Sequence, residues 1–360
     1  MAGALLIAQY ALVIAESDEL DTTPLYRAPI AYQKKNWSLA EAGWGDTECL
    51  EYLRFSQGEI RQLIQNLGLA EWVNSEQKVP GGYARSEEQG FCMLLYRLAT
   101  PGRLKDMMQV FVVSRSQICC IVNDLGRFLY ERYREKLLWD SRRLSLDQLN
   151  TYVQAIDDTV GESTQTWGFI DGTVRPVARP TEEQQRYYSG HKGYHGIKYQ
   201  SIVTPDGLIS SLYGPELGPK GDWKVWQESE IEERLRHIFT GSNNVLYLYG
   251  DPAYAPSYGI RGPYRAGRLG LTPEQEAFNV VMSKYRIVVE WGFGNILNQF
   301  TSGEWKRMQK TGLSPVSINY MISVLLYNCQ TCLRQRNQIR DHFGNRVHPP
   351  SLETYLSLEI

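Results

Sequence analysis

Three carboxylates stand out by where they fall. Asp171 closes the apolar run Trp167-Gly168-Phe169-Ile170-Asp171, and Asp251 closes a second, Val245-Leu246-Tyr247-Leu248-Tyr249-Gly250-Asp251. Asp has low strand propensity, so it is costly there unless a site uses it. The C-terminal ends of strands are where α/β sheets present their ligands. The third is Glu290, a single acid among Val288, Val289 and Trp291 in a helix-like stretch that begins near Lys284. An ionised Glu is expensive to bury there unless paired or bound to metal. The plain alternative is a bridge to Arg286, one turn earlier. Three hard oxygen ligands without a His/Cys framework suit Mg²⁺ or Mn²⁺ rather than zinc. Two such ions about 3.5–4 Å apart could activate a water or hydroxyl and stabilise the leaving oxygen of a phosphodiester.

Other chemistries fit less well. Asp171-Gly172-Thr173 is similar to part of the phosphatase motif of haloacid dehalogenase-like enzymes, but their nucleophilic Asp would fall at Phe169. His191 and His195 have only Cys329 and Cys332 to join them in a zinc site, and the helical period around Cys329 favours a core position. No Gly-x-x-x-x-Gly-Lys-Ser/Thr loop is present, which excludes a P-loop nucleotide site.

The elements that must position the carboxylates can be read from periodicity. A polar helical stretch near 144–156 precedes the first strand. Ile197 to Thr204 and Leu208 to Tyr213 read as strands joined by the turn Pro205-Asp206-Gly207. Residues 228–239 read as a helix, the Val245 run as a buried strand, and a helix follows from about 272 to 298. Strand, hairpin, helix, strand, helix predicts an α/β core with a mixed sheet.

Upstream the period is helical. Ser86 and Gln89 have capping-box spacing, with Phe91, Leu94, Leu95 and Leu98 behind them. Leu104, Met107, Met108 and Phe111 mark a short second helix. Ser114 with Gln117, then Ile118, Ile121, Val122, Leu125 and Leu129, mark a longer third. Short helix, tight turn, longer helix is the layout of a helix-turn-helix. Residues 97–136 carry eight Lys/Arg against four Asp/Glu, a local charge of +4. Arg115, Ser116, Gln117, Asn123 and Arg127 would lie on the outward face of the third helix and are DNA-contact candidates. A three-helix packing unit with a solvated basic face is the alternative.

At 360 residues, 42% hydrophobic and 22% charged, the chain has the composition of a soluble globular protein of two or three domains. A net charge of −2 excludes a histone-like polycation, and six cysteines are too few for a disulfide scaffold, which fits a reduced compartment. No apolar run is long enough for a membrane span. The opening Met1 to Glu16 lacks a basic leader and is interrupted at Gln9 and Tyr10, so an amphipathic or buried helix is expected rather than a signal peptide.

Taken together, FIDGT (169–173), YYSGHKGYHGIKYQ (187–200), LYGDPAY (248–254) and RIVVEWGFGNI (286–296) resemble the PIF/Harbinger-type transposases of the DDE endonuclease superfamily. The intervals of 80 residues from Asp171 to Asp251 and 39 from Asp251 to Glu290 agree with that likeness. The resemblance implies an RNase H-like catalytic core with a mixed sheet over 160–332, preceded by a helix-turn-helix domain over 81–140. Residues 1–80 would be a helical lead-in and 333–360 a C-terminal tail. It also implies DNA cleavage and joining at a transposon's terminal inverted repeats, with Asp171, Asp251 and Glu290 as the metal-binding, catalytic triad. His191, Lys192, His195 and Lys198 become candidates for phosphate contacts. In the loop from Pro252 to Thr272, Arg261, Arg265 and Arg268 lie among Tyr254, Tyr258 and Tyr264, a pattern suited to holding a strand.

One departure concerns the turn of the helix-turn-helix, where family members often have Gly and this chain has Val112. A β-branched residue tolerates φ > 0 poorly, so an altered turn or weaker DNA binding is expected. The partners implied are double-stranded DNA, a Myb-like protein and further copies of the chain. Chemistry on nuclear DNA makes the nucleus the expected site of action, but the chain has no Lys/Arg run of five or more to serve as an import signal, so cytoplasmic retention is expected when the Myb-like partner is absent. The acidic stretch Glu16, Asp18, Glu19 and Asp21 is one candidate docking surface. A domesticated host DNA-binding or chromatin-associated protein that keeps the triad unused is the second reading.

Overall fold

A computed structural model of the protein describes residues 37–358 apart from 243 and 269. The apolar opening segment and the acidic stretch Glu16–Asp21 lie outside the described residues. The chain divides into two compact units. One comprises residues up to 129 with 177–182 and 300–320, the other 130–176, 183–299 and the residues from 321 on.

The first unit is helical. Helices α1 (Asp46–Leu53), α2 (Gln57–Asn66) and α3 (Leu69–Val73) pack on α4 (Glu87–Ala99). The lead-in therefore shares one core with the helices that follow it. Ser56 and Glu59 close a reciprocal capping box that starts α2. Trp37, Trp44, Tyr52, Tyr96 and Phe111 form an aromatic cluster at its centre. The short α5 (Leu104–Phe111) and long α6 (Arg115–Leu138) follow with the predicted spacing, and Ser114 Oγ accepts from the Gln117 N–H at 3.2 Å. The expected box at Ser86 does not form. Its hydroxyl makes no cap bond, and the Gln89 amide instead donates to the Phe111 carbonyl, at the end of α5.

Val112 sits in the turn between α5 and α6. That residue adopts φ 55°, ψ 43°, the left-handed conformation a glycine would take, with its side chain 46% exposed. The geometry is kept at the cost of strain, because a branched Cβ crowds its own backbone there.

In the second unit, α7 (Leu146–Val160) precedes β1 (Thr166–Pro176), after which come a single helical turn, α8 (Gln184–Tyr187), and a two-residue strand, β2 (Tyr188–Ser189). Strands β3 (Tyr194–Val203) and β4 (Ile209–Leu217) form the predicted antiparallel hairpin. A helix not read from the sequence, α9 (Asp222–Glu228), precedes α10 (Ile231–Ile238), which is the helix expected over 228–239, starting only after Glu230 at φ 58°. Then come β5 (Tyr247–Tyr249), β6 (Ile260–Arg261) and the long α11 (Pro273–Gln299). Helices α12 (Val316–Arg334), α13 (Gln338–His342) and α14 (Leu352–Leu356) complete the chain. The last two do not trail off as a tail: Ile339, Phe343, Leu352, Tyr355 and Leu356 are buried.

The main sheet runs β4-β3-β1-β5-β6, with β3 antiparallel to both its neighbours and β1, β5 and β6 parallel. One face carries a core of Trp139, Leu149, Tyr152, Ile170, Trp226, Leu235 and Tyr254. On the other, Phe169 stacks on Phe343, which in turn stacks on Tyr285 of α11. Among the described residues no helix is long and apolar enough to cross a membrane.

Candidate active site

Asp171 does not end its strand as expected. β1 continues to Pro176, paired throughout with β3, and Asp171 lies opposite Ser201. What ends is the parallel ladder between β1 and β5, whose last rung is Phe169↔Tyr249. Asp171 and Asp251 each lie two residues beyond that rung, on adjacent chains. Two carboxylates eighty residues apart in sequence thus become neighbours where the sheet opens. Alternation puts Asp171 on the face of Phe169 and α11, and Ile170 and Gly172 on the opposite face.

Burial pushes the Asp171 carboxyl up to about 6. The charges of Asp251 and Asp222 push the same way, while Arg286 and the Gly172 N–H pull it down. Asp171 Oδ1 accepts from that N–H at 2.8 Å, and Oδ2 lies 3.1 Å from Arg286 Nη1. Asp251 Oδ1 accepts from the Ala253 N–H at 2.9 Å, and the Tyr254 N–H donates to its carbonyl. The Tyr254 ring closes over the preceding Gly250, where a Cβ would sit 2.6 Å from it, and its hydroxyl reaches Gln200 Oε1 at 3.3 Å. This brace fixes the turn that carries Asp251.

Glu290 is not buried. Its side chain is 51% exposed, and the bridge to Arg286 does form, Nη2 to Oε1 at 3.4 Å. The same guanidinium therefore holds a strand carboxylate with one nitrogen and a helix carboxylate with the other. Sequence reasoning treated Arg286 only as an alternative partner for Glu290. Its i−4 spacing was visible, but its reach to Asp171 depends on how α11 crosses β1.

Asp222, at the start of α9, was missed altogether. It approaches from the opposite face: a Cβ on Gly172 would fall 1.7 Å from its Oδ1, so only glycine fits beside Asp171. Asp222 Oδ1 pairs with Lys198 Nζ at 2.9 Å, and Lys198 also donates to the Lys220 carbonyl at 2.7 Å. Lys198 is thus a buried structural cation and not a surface phosphate contact. The strand register places it on the inner face, opposite Val174.

The remaining candidates divide the same way. Arg115, Ser116 and Arg127 are exposed on α6, while Gln117 and Asn123 are half-buried. His191 and Lys192 are exposed in the turn before β3, and the His195 ring packs on Tyr188. Arg261 folds inward against Tyr247 and Phe278 and donates to Thr166 Oγ1, so it is not free to hold a strand. Arg265 is exposed and donates to the Pro252 carbonyl; Arg268 is exposed. Cys329 and Cys332 are buried in α12, and burial pushes both thiols up.

Among the described residues no group of three or more His, Cys, Asp or Glu converges as a metal cradle. The donor chemistry of the pair nevertheless fits a divalent cation: two hard-oxygen carboxylates side by side, one raised by burial and by the other's charge. Asp171 and Asp251 would hold it. Glu290, tied to Arg286, is not in position in this state.

Comparison with known proteins finds one family. The model of the DDE superfamily endonuclease family matches residues 170–326. Residues 170–326 are similar to the DDE superfamily endonucleases. The match runs from Ile170 in β1 to Leu326 in α12 and contains Asp171, Asp251 and Glu290. A nuclease of the transposase kind is thereby supported, and the curled mixed sheet is compatible with a DDE nuclease fold. No curated protein and no solved structure matches the chain.

Proposed function

We propose that the protein is a metal-dependent DNA endonuclease of the PIF/Harbinger type, cutting and joining DNA at terminal inverted repeats with Asp171, Asp251 and Glu290 as its acidic triad. The observation that carries this reading is the placement of Asp171 and Asp251 on neighbouring chains just beyond the last β1–β5 rung, inside the family match. An RNase H-like core is supported by the sheet order, in which Asp251 follows the short β5 that runs parallel beside β1. The divalent ions such a site takes, Mg²⁺ or Mn²⁺, supply nucleophile activation and charge neutralisation at the phosphodiester. The protein's own part is to bind and orient. Asp171 and Asp251 would hold the cations, the Tyr254–Gln200 brace keeps Asp251 in place, and the Lys198–Asp222 pair stiffens β1 behind Asp171.

A helix-turn-helix role for α4–α6 is supported by the exposed Arg115, Ser116 and Arg127 and by the retained tight turn at Val112. Two of the eight cations counted in that stretch are withdrawn from solvent. Burial lowers the Arg97 pKa, and Lys136 pairs with Asp140 at 3.0 Å. The weaker basic surface that remains favours recruitment by a DNA-binding partner of Myb-like type, and with it partner-dependent entry into nuclei.

The test is nicking of DNA that carries the inverted repeats flanking the protein's own coding sequence, with Mg²⁺ or Mn²⁺ supplied. Asp251→Ala should lower the rate by roughly three orders of magnitude or more, since the metals supply most of the catalysis. Cleavage by that variant at the wild-type rate would sink the assignment. DNA binding without cleavage by the wild-type protein would favour the domesticated reading.

A further inference from the structure

We infer that Arg286 is a resident counter-cation of the site, one that a divalent ion must displace and that by holding Asp171 and Glu290 together keeps two metal-binding carboxylates out of use. This rests on the reading of Asp171, Asp251 and Glu290 as the metal ligands. The geometry is direct: Nη1 lies 3.1 Å from Asp171 Oδ2 and Nη2 lies 3.4 Å from Glu290 Oε1. Both contacts are charge-assisted, and the fork of the guanidinium lets a single group serve both acids. The Asp171 contact is the more protected, at 17% exposure for the carboxylate and 23% for Arg286, whereas Glu290 stands at 51%.

A guanidinium and a dication cannot share one pair of carboxylates without strong repulsion at these separations. Binding of the ion therefore requires Arg286 to leave, and its departure frees both ligands at once. Glu290 is already half in solvent and lies on the same helical face as Arg286, so its release needs only side-chain rotation. The absence of a three-carboxylate cradle among the described residues is what this arrangement produces. Without Arg286, Asp171 would face Asp251 with no cation beside it, so the same residue that competes with the metal also stabilises the metal-free fold.

The experiment uses the full chain without DNA. Mn²⁺ affinity is measured by electron paramagnetic resonance or calorimetry, and Tm with and without saturating Mn²⁺, for wild type, Arg286→Met and Arg286→Lys. Methionine keeps the aliphatic packing and removes the charge; lysine keeps a charge that cannot fork. Arg286→Met should bind Mn²⁺ about tenfold more tightly, the equivalent of one lost charge-assisted contact. Its metal-free form should melt below wild type, and saturating Mn²⁺ should close that gap. Arg286→Lys should fall between the two. Equal or weaker Mn²⁺ binding by Arg286→Met overturns the inference, because Arg286 would then support the ligands. A Tm deficit that survives saturating Mn²⁺ also overturns it, because the role would be packing. If neither wild type nor Arg286→Met binds Mn²⁺, the metal-site reading itself fails.

Discussion

Asp206, buried, and Asp171, half-buried, are both aspartates of the second unit, and their surroundings are opposites. Asp206, 1% exposed in the β3–β4 turn, has both oxygens satisfied. Oδ2 accepts from Arg143 at 2.9 Å and from the Tyr152 hydroxyl at 2.6 Å, while Oδ1 accepts from Thr204 at 2.6 Å and from the Leu208 N–H at 3.2 Å. Asp171 has one N–H and one shared guanidinium, and burial, with the charges of Asp251 and Asp222, pushes its carboxyl up to about 6. One charge is matched and locks a hairpin; the other is under-matched. A buried carboxylate reads as structural or functional according to whether its neighbours already neutralise it.

Removing a partner from the matched charge should have the largest effect on stability. Arg143→Met leaves Asp206 buried without its cation and should cost about 3–5 kcal/mol in chemical denaturation. A loss below about 1 kcal/mol would mean that the hairpin does not depend on the pair. The under-matched charge should respond with the opposite sign. Asp171→Asn should stabilise the metal-free protein at neutral pH by roughly 2–3 kcal/mol, the free-energy equivalent of the raised pKa. Because the folded value lies above the ordinary one, ionisation opposes folding above about pH 6. That cost fades as pH falls toward 4. The advantage of Asp171→Asn in urea titrations should therefore shrink from pH 7 to pH 4, and an advantage independent of pH would break the comparison.

The first unit has its own unmet demand at Val112. Val112→Gly should raise stability by about 1 kcal/mol, since relief of left-handed strain outweighs the added chain entropy. Destabilisation would show that the exposed isopropyl group contributes packing worth more than the strain. Smallest in energy is the contrast between solvated and buried cations. Arg115→Ala and Arg127→Ala should each reduce the slope of log affinity against log salt by roughly 0.9 if the residue meets a phosphate. Unchanged slopes in fluorescence titrations with duplex DNA would leave α4–α6 as a packing unit.

Much of the architecture was legible because it is local. The 3.6-residue period of Phe91–Leu98, Leu104–Phe111 and Ile118–Leu129 and the Pro205-Asp206-Gly207 turn each name their element within a few residues. Local reading failed where a distant group intervened. Gln89 gave up its capping box to reach Phe111, the helix expected from 228 began only after the left-handed Glu230, and β1 ran past Asp171 because β3 pairs with it to Pro176.

The sequence alone singled out Asp171, Asp251 and Glu290, because Asp is unfavourable beside apolar strand residues and an ionised Glu would be costly to bury among valines. Only the tertiary structure decided which cation each acid meets. The register of β1 against β5 makes neighbours of Asp171 and Asp251, the crossing of α11 carries Arg286 to Asp171, and the start of α9 brings Asp222 over Gly172. Charge interactions fall off with distance in space and are indifferent to distance along the chain. The partners of a buried carboxylate are therefore settled by packing, which periodicity and spacing do not encode.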